Sequence, residues 1–462
     1  MTNRSLHAVL VERAGPRLME LLAAALDGSG PAILPLDAGL PASALAKLVA
    51  TLAPDTVEDP DGVITVRSGW KKAVPEGTAV IVGTSGSTGA PKGVELSAAA
   101  LVRSARASLA RIGAQPGERW LCCLPVTHIA GIQVLVRSLV SGTDPVVADR
   151  ADAETVAACG CAHVSLVPTQ LRRLLDIDVP TRRGRPAGLA RFSSVLLGGA
   201  AAPASLLDAA RAARIPVVTT YGMTETCGGC VYDGIPLDGV RVQLRDESDV
   251  LAGEDAADPG RLPGIPRDRE DPFPRAAAAI PPDRAAFPPR PPGHPPGTPA
   301  GRIWIGGPVL FSGYRCGPAE PSRSDGWFRT DDLGRLDSSG RLTVSGRAGD
   351  VINTGGYTVI PGEVAAVLQT CPGVKDAAVV GQPDQEWGER VIAAVVPADP
   401  ADPPALELLR LHVRERLPRY AAPSKVVMVD AVPMLPSGKH DIARLRRELL
   451  LREQTEAESV TK

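Results

Sequence analysis

Residues 84–94, Thr84-Ser-Gly-Ser-Thr-Gly-Ala-Pro-Lys-Gly-Val94, follow the short apolar run Ala79-Val-Ile-Val and decide how the rest of the chain is interpreted. Gly86 and Gly89 let the backbone turn its N–H groups toward an anion. Three hydroxyls and the Lys92 ammonium add further donors, which suits a polyphosphate. The stretch is not a Walker A loop, because its lysine precedes glycine rather than serine or threonine. A polar hairpin loop is the structural alternative, but it would not need so constrained a stretch.

The overall charge of the chain is close to zero, with 50 Lys+Arg against 52 Asp+Glu and a formal net charge of −2 over 462 residues. This balance argues against a basic surface that binds nucleic acid. Aromatic residues make up only 3%, which argues against base-stacking platforms. Hydrophobic residues, at 44%, suffice for sizeable cores. The length predicts about two to four domains.

No targeting segment is visible in the sequence. Charged residues interrupt the N-terminal apolar stretch at Glu12, Arg13, Arg17 and Glu20. No run approaches the ~18 apolar residues that a membrane helix needs. We therefore expect a soluble, cytoplasmic protein without membrane insertion. Eight cysteines in so long a chain do not indicate a disulfide framework.

Residues 252–300 hold 14 of the 45 prolines and have little periodic apolar pattern. Proline removes backbone donors and restricts the residue before it, so we predict a disordered or polyproline-II insertion. Apolar runs resume at Gly301, which places the insertion between two strands of one domain. A recognition site for a proline-binding partner is the alternative to a tolerated surface loop.

Short apolar strands alternate with helical stretches between Ala79 and Thr220, which predicts an α/β domain of mostly parallel sheets with flanking helices. After Arg347 the spacing changes. Short strands at 376–381, 391–396 and 424–429 alternate there with helical stretches at 360–370 and 406–417. This pattern predicts a separate, smaller α+β domain.

Further motifs follow residues 84–94 along the chain: Tyr221-Gly-Met-Thr-Glu225, Asp325-Gly-Trp-Phe-Arg-Thr-Asp-Asp-Leu-Gly334, Gly346-Arg-Ala-Gly-Asp-Val-Ile-Asn-Thr-Gly-Gly356 and Leu435-Pro-Ser-Gly-Lys439. In this order they resemble the adenylate-forming superfamily, which includes acyl-CoA synthetases, luciferases and peptide-synthetase adenylation domains. The resemblance implies an N-terminal AMP-binding domain over residues 1–346 and a mobile C-terminal domain over 351–462. The hinge would span 347–350 and include Gly349 and Asp350.

The same resemblance implies that ATP and CoA are substrates and that Mg2+ is a cofactor bound by Glu225. The implied catalytic residues are Lys439, Thr224, Glu225, Arg347 and His128. The implied nucleotide-binding residues are Thr84, Ser85, Gly86, Ser87, Thr88, Gly89, Lys92, Gly199, Ala200, Ala201, Tyr221, Gly222, Met223, Thr224, Asp332, Arg347 and Lys439.

Individual roles also follow from the resemblance. Residues 84–92 would cradle the β- and γ-phosphates, and Asp332 would accept hydrogen bonds from the ribose hydroxyls. Tyr221 would cover the adenine, and Lys439 would bridge the substrate carboxylate and the α-phosphate. Asp331 stands where members of the superfamily usually carry glycine, so it competes with Asp332 for the ribose role.

The stretch Leu124-Pro-Val-Thr-His-Ile-Ala-Gly131 resembles the superfamily segment whose histidine lies beside the acyl tunnel; a satisfied core histidine is the alternative. Residues 164–171, 198–203 and 221–232 most resemble actinobacterial o-succinylbenzoate–CoA ligases of menaquinone biosynthesis. The acid would then be 2-succinylbenzoate, whose ring carboxylate and ketone need polar partners. The candidate partners are His128, Thr127, Ser165, Thr169 and Thr226.

Alternative functions stay open at this point. One is another aryl- or acyl-CoA synthetase of the same superfamily, and another is a non-catalytic nucleotide-binding scaffold. Cys227-Gly-Gly-Cys230 has redox or zinc spacing, but thiols in an acyl-pocket strand also pack as small apolar groups. The substrates would be small molecules, with no nucleic-acid partner, and formation of a homo-oligomer is left open.

Overall fold

The structure is a computed structural model. It describes residues 4–67, 73–85, 91–177, 188–245, 300–316, 323–435 and 439–460. Side chains are not described for Ser85, Ile177, Arg323 and residues 453–460. Residues 252–299 of the predicted insertion and residues 86–90 of the predicted phosphate loop lie outside the described ranges.

The first sheet is built mainly from the N-terminal hundred residues. Its elements are β1 (Leu6–Val11), α1 (Pro16–Asp27), β2 (Ala32–Asp37), α2 (Ala42–Leu52), β3 (Thr56–Glu58), β4 (Ile64–Val66), β5 (Thr78–Ser85), β6 (Pro91–Ser97) and α3 (Ala98–Ile112). β3, β1, β2 and β5 are parallel neighbours, whereas β4 and β6 are antiparallel additions. α3 begins where the Ser97 hydroxyl accepts a hydrogen bond from the Ala100 N–H, and it ends at Gly113 with φ +61°.

The second sheet alternates strands and helices. Its elements are β7 (Trp120–Cys122), α4 (Ile129–Val140), β8 (Val146–Val147), α5 (Ala153–Ala158), β9 (His163–Leu166), α6 (Pro168–Ile177), β10 (Ser194–Leu197), α7 (Ala204–Ala212), β11 (Val217–Met223), β12 (Gly228–Tyr232) and β13 (Ile235–Pro236). The strands from β11 through β10, β9 and β7 to β8 are parallel, and β12 and β13 extend the sheet antiparallel. The carboxyl ends of the parallel strands therefore lie at one edge, where α/β folds place ligands.

The third sheet is antiparallel throughout. Its region contains β14 (Arg241–Arg245), β15 (Gly301–Gly306), β16 (Gly313–Arg315), β17 (Arg323–Ser324), β18 (Trp327–Leu336) and β19 (Leu342–Arg347). β16 lies in this segment of the chain but is not a strand of the third sheet; it pairs with β6 of the first sheet. The predicted fold class is confirmed: four parallel strands form the interior of the first sheet, and five adjacent parallel strands form most of the second.

The C-terminal region has its own sheet, with apolar clusters on both faces. Its elements are β20 (Ile352–Thr354), β21 (Tyr357–Val359), α8 (Pro361–Leu368), β22 (Val374–Asp384), β23 (Gly388–Pro397), α9 (Leu406–Arg414), β24 (Lys425–Met428) and α10 (Ile442–Val460). α8 and α9 cover one face, and α10 covers the other. The boundaries at 346 and 351 and the hinge between them stay predictions; a single 3-10 turn, Ala348–Asp350, stands there.

All eight cysteines are free thiols. Among the described helices, none combines the length and the apolar character that a membrane crossing requires. The described part of the chain also holds no group of three or more His, Cys, Asp or Glu side chains suited to a metal ion.

The strands that flank the predicted insertion are direct neighbours. β14 pairs antiparallel with β15, and Arg245 stands opposite Arg302. A connection between adjacent antiparallel strands can be as short as a tight turn. The pairing itself therefore does not need the residues in between.

We predict that replacing residues 252–300 by a short linker leaves kcat within about threefold of the parent, because lengthening or shortening a surface connection changes the closure entropy only slowly. Steady-state assays and a thermal melt of both proteins measure the effect. A large loss of kcat with an unchanged melting temperature would contradict the prediction that residues 252–300 are a surface loop without a role in catalysis.

Candidate active site

The predicted phosphate loop connects two paired strands. Ser85 pairs with Pro91 and Thr84 with Lys92 across β5 and β6, and the Thr84 hydroxyl donates to the Lys92 carbonyl at 3.4 Å. The Lys92 side chain is 24% exposed, so its ammonium stays within reach of a ligand. Gly86, Ser87, Thr88 and Gly89 lie outside the described residues.

Lys92 meets Glu225, which comes from the second sheet. Lys92 Nζ lies 3.1 Å from Glu225 Oε1, and the Glu225 side chain is 12% exposed. Tyr314 Oη donates to the same carboxylate oxygen at 2.8 Å. The predicted phosphate-binding cation and the predicted magnesium ligand are thus brought together.

The tight turn Thr224–Thr226 after β11 presents Glu225. Thr226 Oγ1 accepts from the Met223 N–H at 2.9 Å and donates toward the Gly228 carbonyl at 2.7 Å. Gly222 is required because a Cβ there would lie 2.0 Å from the Gly228 carbonyl oxygen. Thr226 is fully buried and its hydroxyl is used in the turn, so the structure does not offer it to a substrate as the sequence analysis expected.

Asp332, Tyr221 and Arg347 form the second group of predicted residues. Tyr221 Oη donates to Asp332 Oδ2 at 2.8 Å, and Arg347 Nε lies 3.6 Å from Asp332 Oδ1. Burial raises the pKa of Asp332, and the Tyr221 hydrogen bond and the Arg347 charge partly offset that rise. Burial and the neighbouring Asp332 raise the pKa of Tyr221 well above its usual value, so the phenol stays protonated and donates.

The two adjacent aspartates point in opposite directions, as successive residues of a strand do. The Asp331 side chain is 83% exposed and lies 3.9 Å from Arg302, whereas the Asp332 side chain is 15% exposed. This geometry favours Asp332 for the ribose role.

Lys439 comes from the C-terminal region and lies near the group formed by Asp332 and Arg347. Partial burial and the Arg347 guanidinium lower the pKa of Lys439, while Asp332 acts in the opposite direction. Its charge also contributes, after burial, to the lowered pKa of His128. Lys439 is therefore within electrostatic range of the ribose group and of the predicted acyl-tunnel histidine, in one arrangement of the two regions.

Three contacts fix the backbone next to Lys439 and the region that carries it. The Lys439 carbonyl accepts from the Leu435 N–H at 2.7 Å, and His440 Nε2 lies 3.1 Å from Asp376 Oδ2 on β22. Arg335 of β18 forms two hydrogen bonds to the Glu363 carboxylate at the start of α8, at 2.9 and 3.1 Å. A bidentate pair of this kind fixes orientation as well as distance.

The predicted adenine loop follows β10 and lies at the same sheet edge as Glu225. Gly198 packs closely on Thr220 of β11, because a Cβ at Gly198 would lie 2.2 Å from the Thr220 hydroxyl. Gly199, Ala200 and Ala201 continue from it at the surface, with φ +81° at Gly199.

The remaining candidate pocket residues have different surroundings. His128 stands just before α4 with part of its surface open to solvent, although its surroundings are enclosed enough to lower its pKa. Thr127 beside it is half-buried, and Thr169 is half-buried in the first turn of α6. Ser165 is buried on β9, where its hydroxyl accepts a hydrogen bond from Arg137 Nη2 at 3.2 Å.

Arg137 was not among the sequence candidates. It is 5% exposed, and it also donates to the Gln133 carbonyl at 2.9 Å and to the Ser108 hydroxyl at 3.2 Å. The guanidinium lies 4.2 Å from the centre of the Trp120 ring. No carboxylate of the described residues forms an ion pair with it. The sequence held a signal, because Arg137 is the single charged residue of the apolar helix IAGIQVLVRSLV.

Cys227 and Cys230 are both fully buried. Burial raises the pKa of Cys230 to about 12 and that of Cys227 still further, with Cys230 contributing to the latter. Thiols in this state pack as apolar groups and are poor nucleophiles or metal ligands.

Comparison with known proteins gives matches over both regions. Residues 46–315 match the family model described as AMP-binding enzyme, and residues 363–439 match its C-terminal domain model. A probable 2-succinylbenzoate–CoA ligase of Mycobacterium tuberculosis is 40% identical over 387 residues, covering 81% of this chain and 85% of that protein. A 2-succinylbenzoate–CoA ligase of Bacillus licheniformis is 34% identical, covering 78% of this chain and 68% of that protein.

Solved structures agree with these matches. The o-succinylbenzoate CoA synthetase of Bacillus subtilis with its acyl-adenylate intermediate has a TM-score of 0.71 and 24% identity, covering 97% of this chain and 88% of that chain. The amide bond synthetase McbA of Marinactinospora thermotolerans has a TM-score of 0.73 and 26% identity, covering 97% of this chain and 90% of that chain. The resemblance predicted from the motifs is confirmed: the chain belongs to the AMP-binding enzyme family.

Proposed function

We propose that this protein is an ATP-dependent acid–CoA ligase that converts 2-succinylbenzoate to 2-succinylbenzoyl-CoA for menaquinone biosynthesis. The names of its relatives support the reaction and the acid. The pairing of Lys92 with Glu225, and the grouping of Lys439 with Arg347 and Asp332, support the chemistry. A cytoplasmic location and homo-oligomer formation stay predictions.

The observation that carries the choice of acid is the buried Arg137. An unpaired buried charge costs several kcal/mol, so a chain that keeps one has a use for it. Arg137 lies nine residues beyond His128 in sequence, and its guanidinium reaches back one helical turn to the Gln133 carbonyl, which is five residues beyond His128 and about 7 Å along the helix. A diacid that presents one carboxylate beside His128 and Lys439 would place its second carboxylate toward Arg137. 2-Succinylbenzoate is such an acid.

In the first step, the succinyl carboxylate attacks the α-phosphorus of ATP and pyrophosphate leaves. The two reacting groups are both anionic, so they must be held together against their repulsion. Lys439 would bridge the carboxylate and the α-phosphate, with Thr224 as a further donor. Lys92 would hold the departing phosphates.

The nucleoside end is held by hydrogen bonds. Asp332 would accept from the ribose hydroxyls, since a carboxylate has about four acceptor sites and Tyr221 occupies one of them. Gly199, Ala200 and Ala201 would lie along the adenine, and Arg347 would contact ribose or phosphate.

Glu225 fits the predicted magnesium ion. Mg2+ prefers oxygen ligands and takes few of them from protein. Both hydrogen bonds that the described residues make to this carboxylate go to Oε1. When bound, Mg2+ supplies charge neutralisation on the phosphate oxygens.

In the second step, the CoA thiol attacks the acyl carbonyl and AMP leaves. Lys439 lies within electrostatic range of Asp332 and His128. If this is the arrangement for adenylation, the thiol needs another one, so we propose that the C-terminal region turns about Gly349 and Asp350 between the steps. Such a hinge transition needs backbone freedom at only a few residues.

A substrate panel tests the proposed acid. We expect CoA- and ATP-dependent AMP release with 2-succinylbenzoate to exceed release with benzoates and fatty acids. We also expect Arg137→Met to lower kcat/KM for 2-succinylbenzoate by about 100-fold or more, because breaking a buried charge pair costs ~3 kcal/mol or more. With 4-oxo-4-phenylbutanoate, which lacks the ring carboxylate, the loss should stay below about fivefold.

The matched control is Arg106→Met, which changes an exposed arginine on neighbouring α3. Equal losses for both acids in Arg137→Met would contradict the carboxylate role. If the enzyme instead preferred a fatty acid or a simple benzoate, the proposed acid would be wrong, and the protein would be another aryl- or acyl-CoA synthetase of the same superfamily.

Lys439→Ala should separate the two steps. We expect the rate of acid-dependent ATP–pyrophosphate exchange to fall by about 100-fold or more, as the loss of a placed charge does at other transition states. Thioesterification of supplied 2-succinylbenzoyl-AMP should stay within about threefold, because Lys439 acts before that step. Lys375→Ala, an exposed lysine on β22, is the control. Equal loss of both steps would refute the assigned role.

A further inference from the structure

Tyr314 stands between the two charged residues that are expected to handle Mg·ATP, and no motif assigned it a role. Its hydroxyl donates to Glu225 Oε1 at 2.8 Å. The Lys92 ammonium lies 4.1 Å from the centre of its ring. One side chain therefore contacts the carboxylate through its hydroxyl and the cation through its face.

The fold fixes Tyr314 from both sides. β16 pairs antiparallel with β6, so that Tyr314 stands opposite Val94, two residues from Lys92. Before it, the Phe311 N–H donates to the Glu225 carbonyl at 2.8 Å, and the Phe311 ring packs at 4.7 Å from the Tyr314 ring. After it, the fully buried Arg315 donates to the Leu52 and Ala53 carbonyls.

These anchors give Tyr314 little freedom to follow a ligand, whereas Lys92 has a long flexible side chain. When Mg·ATP arrives, Lys92 exchanges Glu225 for phosphate and the carboxylate loses its cation. The Tyr314 hydroxyl is then the remaining protein donor, among the described residues, that fixes this carboxylate. A hydrogen bond to a charged acceptor is among the stronger ones.

We propose that Tyr314 is a positioning residue that holds the Glu225 carboxylate for the metal of Mg·ATP and holds Lys92 over its ring until the phosphates arrive. The proposal rests on the proposed function for the roles of Lys92 and Glu225. It adds a residue from a third segment of the chain to the nucleotide site, and it acts through both of its neighbours rather than on the reacting atoms.

The test is calorimetric titration with α,β-methylene-ATP, once with excess Mg2+ and once with EDTA. For Tyr314→Phe we expect about a tenfold weaker Kd with Mg2+ and less than a twofold change in EDTA, because only the hydrogen bond to the carboxylate is lost. For Tyr314→Leu we expect a loss of about threefold or more in EDTA as well, since the ring beneath Lys92 is gone. Tyr420→Phe, on the C-terminal region, should match the parent in both conditions.

A Tyr314→Phe titration equal to the parent with and without Mg2+ would overturn the proposal. Equal weakening in both conditions, accompanied by a lower melting temperature, would also overturn it, because that result describes a packing role. The titration contains neither acid nor CoA. A different acid substrate would therefore leave its result unchanged, and the two hypotheses fail separately.

Discussion

The ion pair between Lys92 and Glu225, 3.1 Å long, joins the two main sheets of the N-terminal region at the cleft. Lys92 belongs to the strand pair of the first sheet that carries the phosphate loop, and Glu225 to a turn after a parallel strand of the second sheet. A protein with a net charge of −2 has no general positive field to attract ATP. Anion binding must therefore come from a few cations placed where strand ends meet, and this pair fixes one of them.

The charged residues of the candidate nucleotide site form two ion pairs. Lys92 faces Glu225, and Arg347 faces Asp332. We therefore expect a nucleotide to exchange existing partners instead of meeting bare charges, and each pair to re-form when pyrophosphate or AMP leaves. Such paired charges lower the free energy of the protein without ligand, because a half-buried charge without a partner would carry a large desolvation penalty. The exchange of partners would also keep the products from being held too tightly.

The candidate site residues stay predictions, and the sequence could identify those that lie within short motifs. The turn Thr224–Thr226 forms from its own backbone groups, so residue types and spacing were enough to identify it. The same reasoning failed for Thr226 itself, because a sequence does not show that a hydroxyl is already used by its own turn. Tyr314 lies 89 residues from Glu225, and only the pairing of β16 with β6 brings them together. Arg137 could have been singled out from the sequence, because it is the one charged residue in an apolar helix.

The acyl end differs from the nucleotide end in a way that suits a two-step reaction. Arg137 is buried against Trp120 and hydroxyl groups, and no carboxylate from the described chain neutralises it. In the proposed mechanism the acyl-adenylate must stay bound while Lys439 withdraws and the thiol enters, so a group that does not move has to take over from the departing ammonium. We propose that Arg137, which belongs to α4 and not to the C-terminal region, meets that requirement for an acid with a second carboxylate. An acid without one would lack this anchor when Lys439 withdraws, so we expect the same arginine to affect both the retention and the choice of substrate.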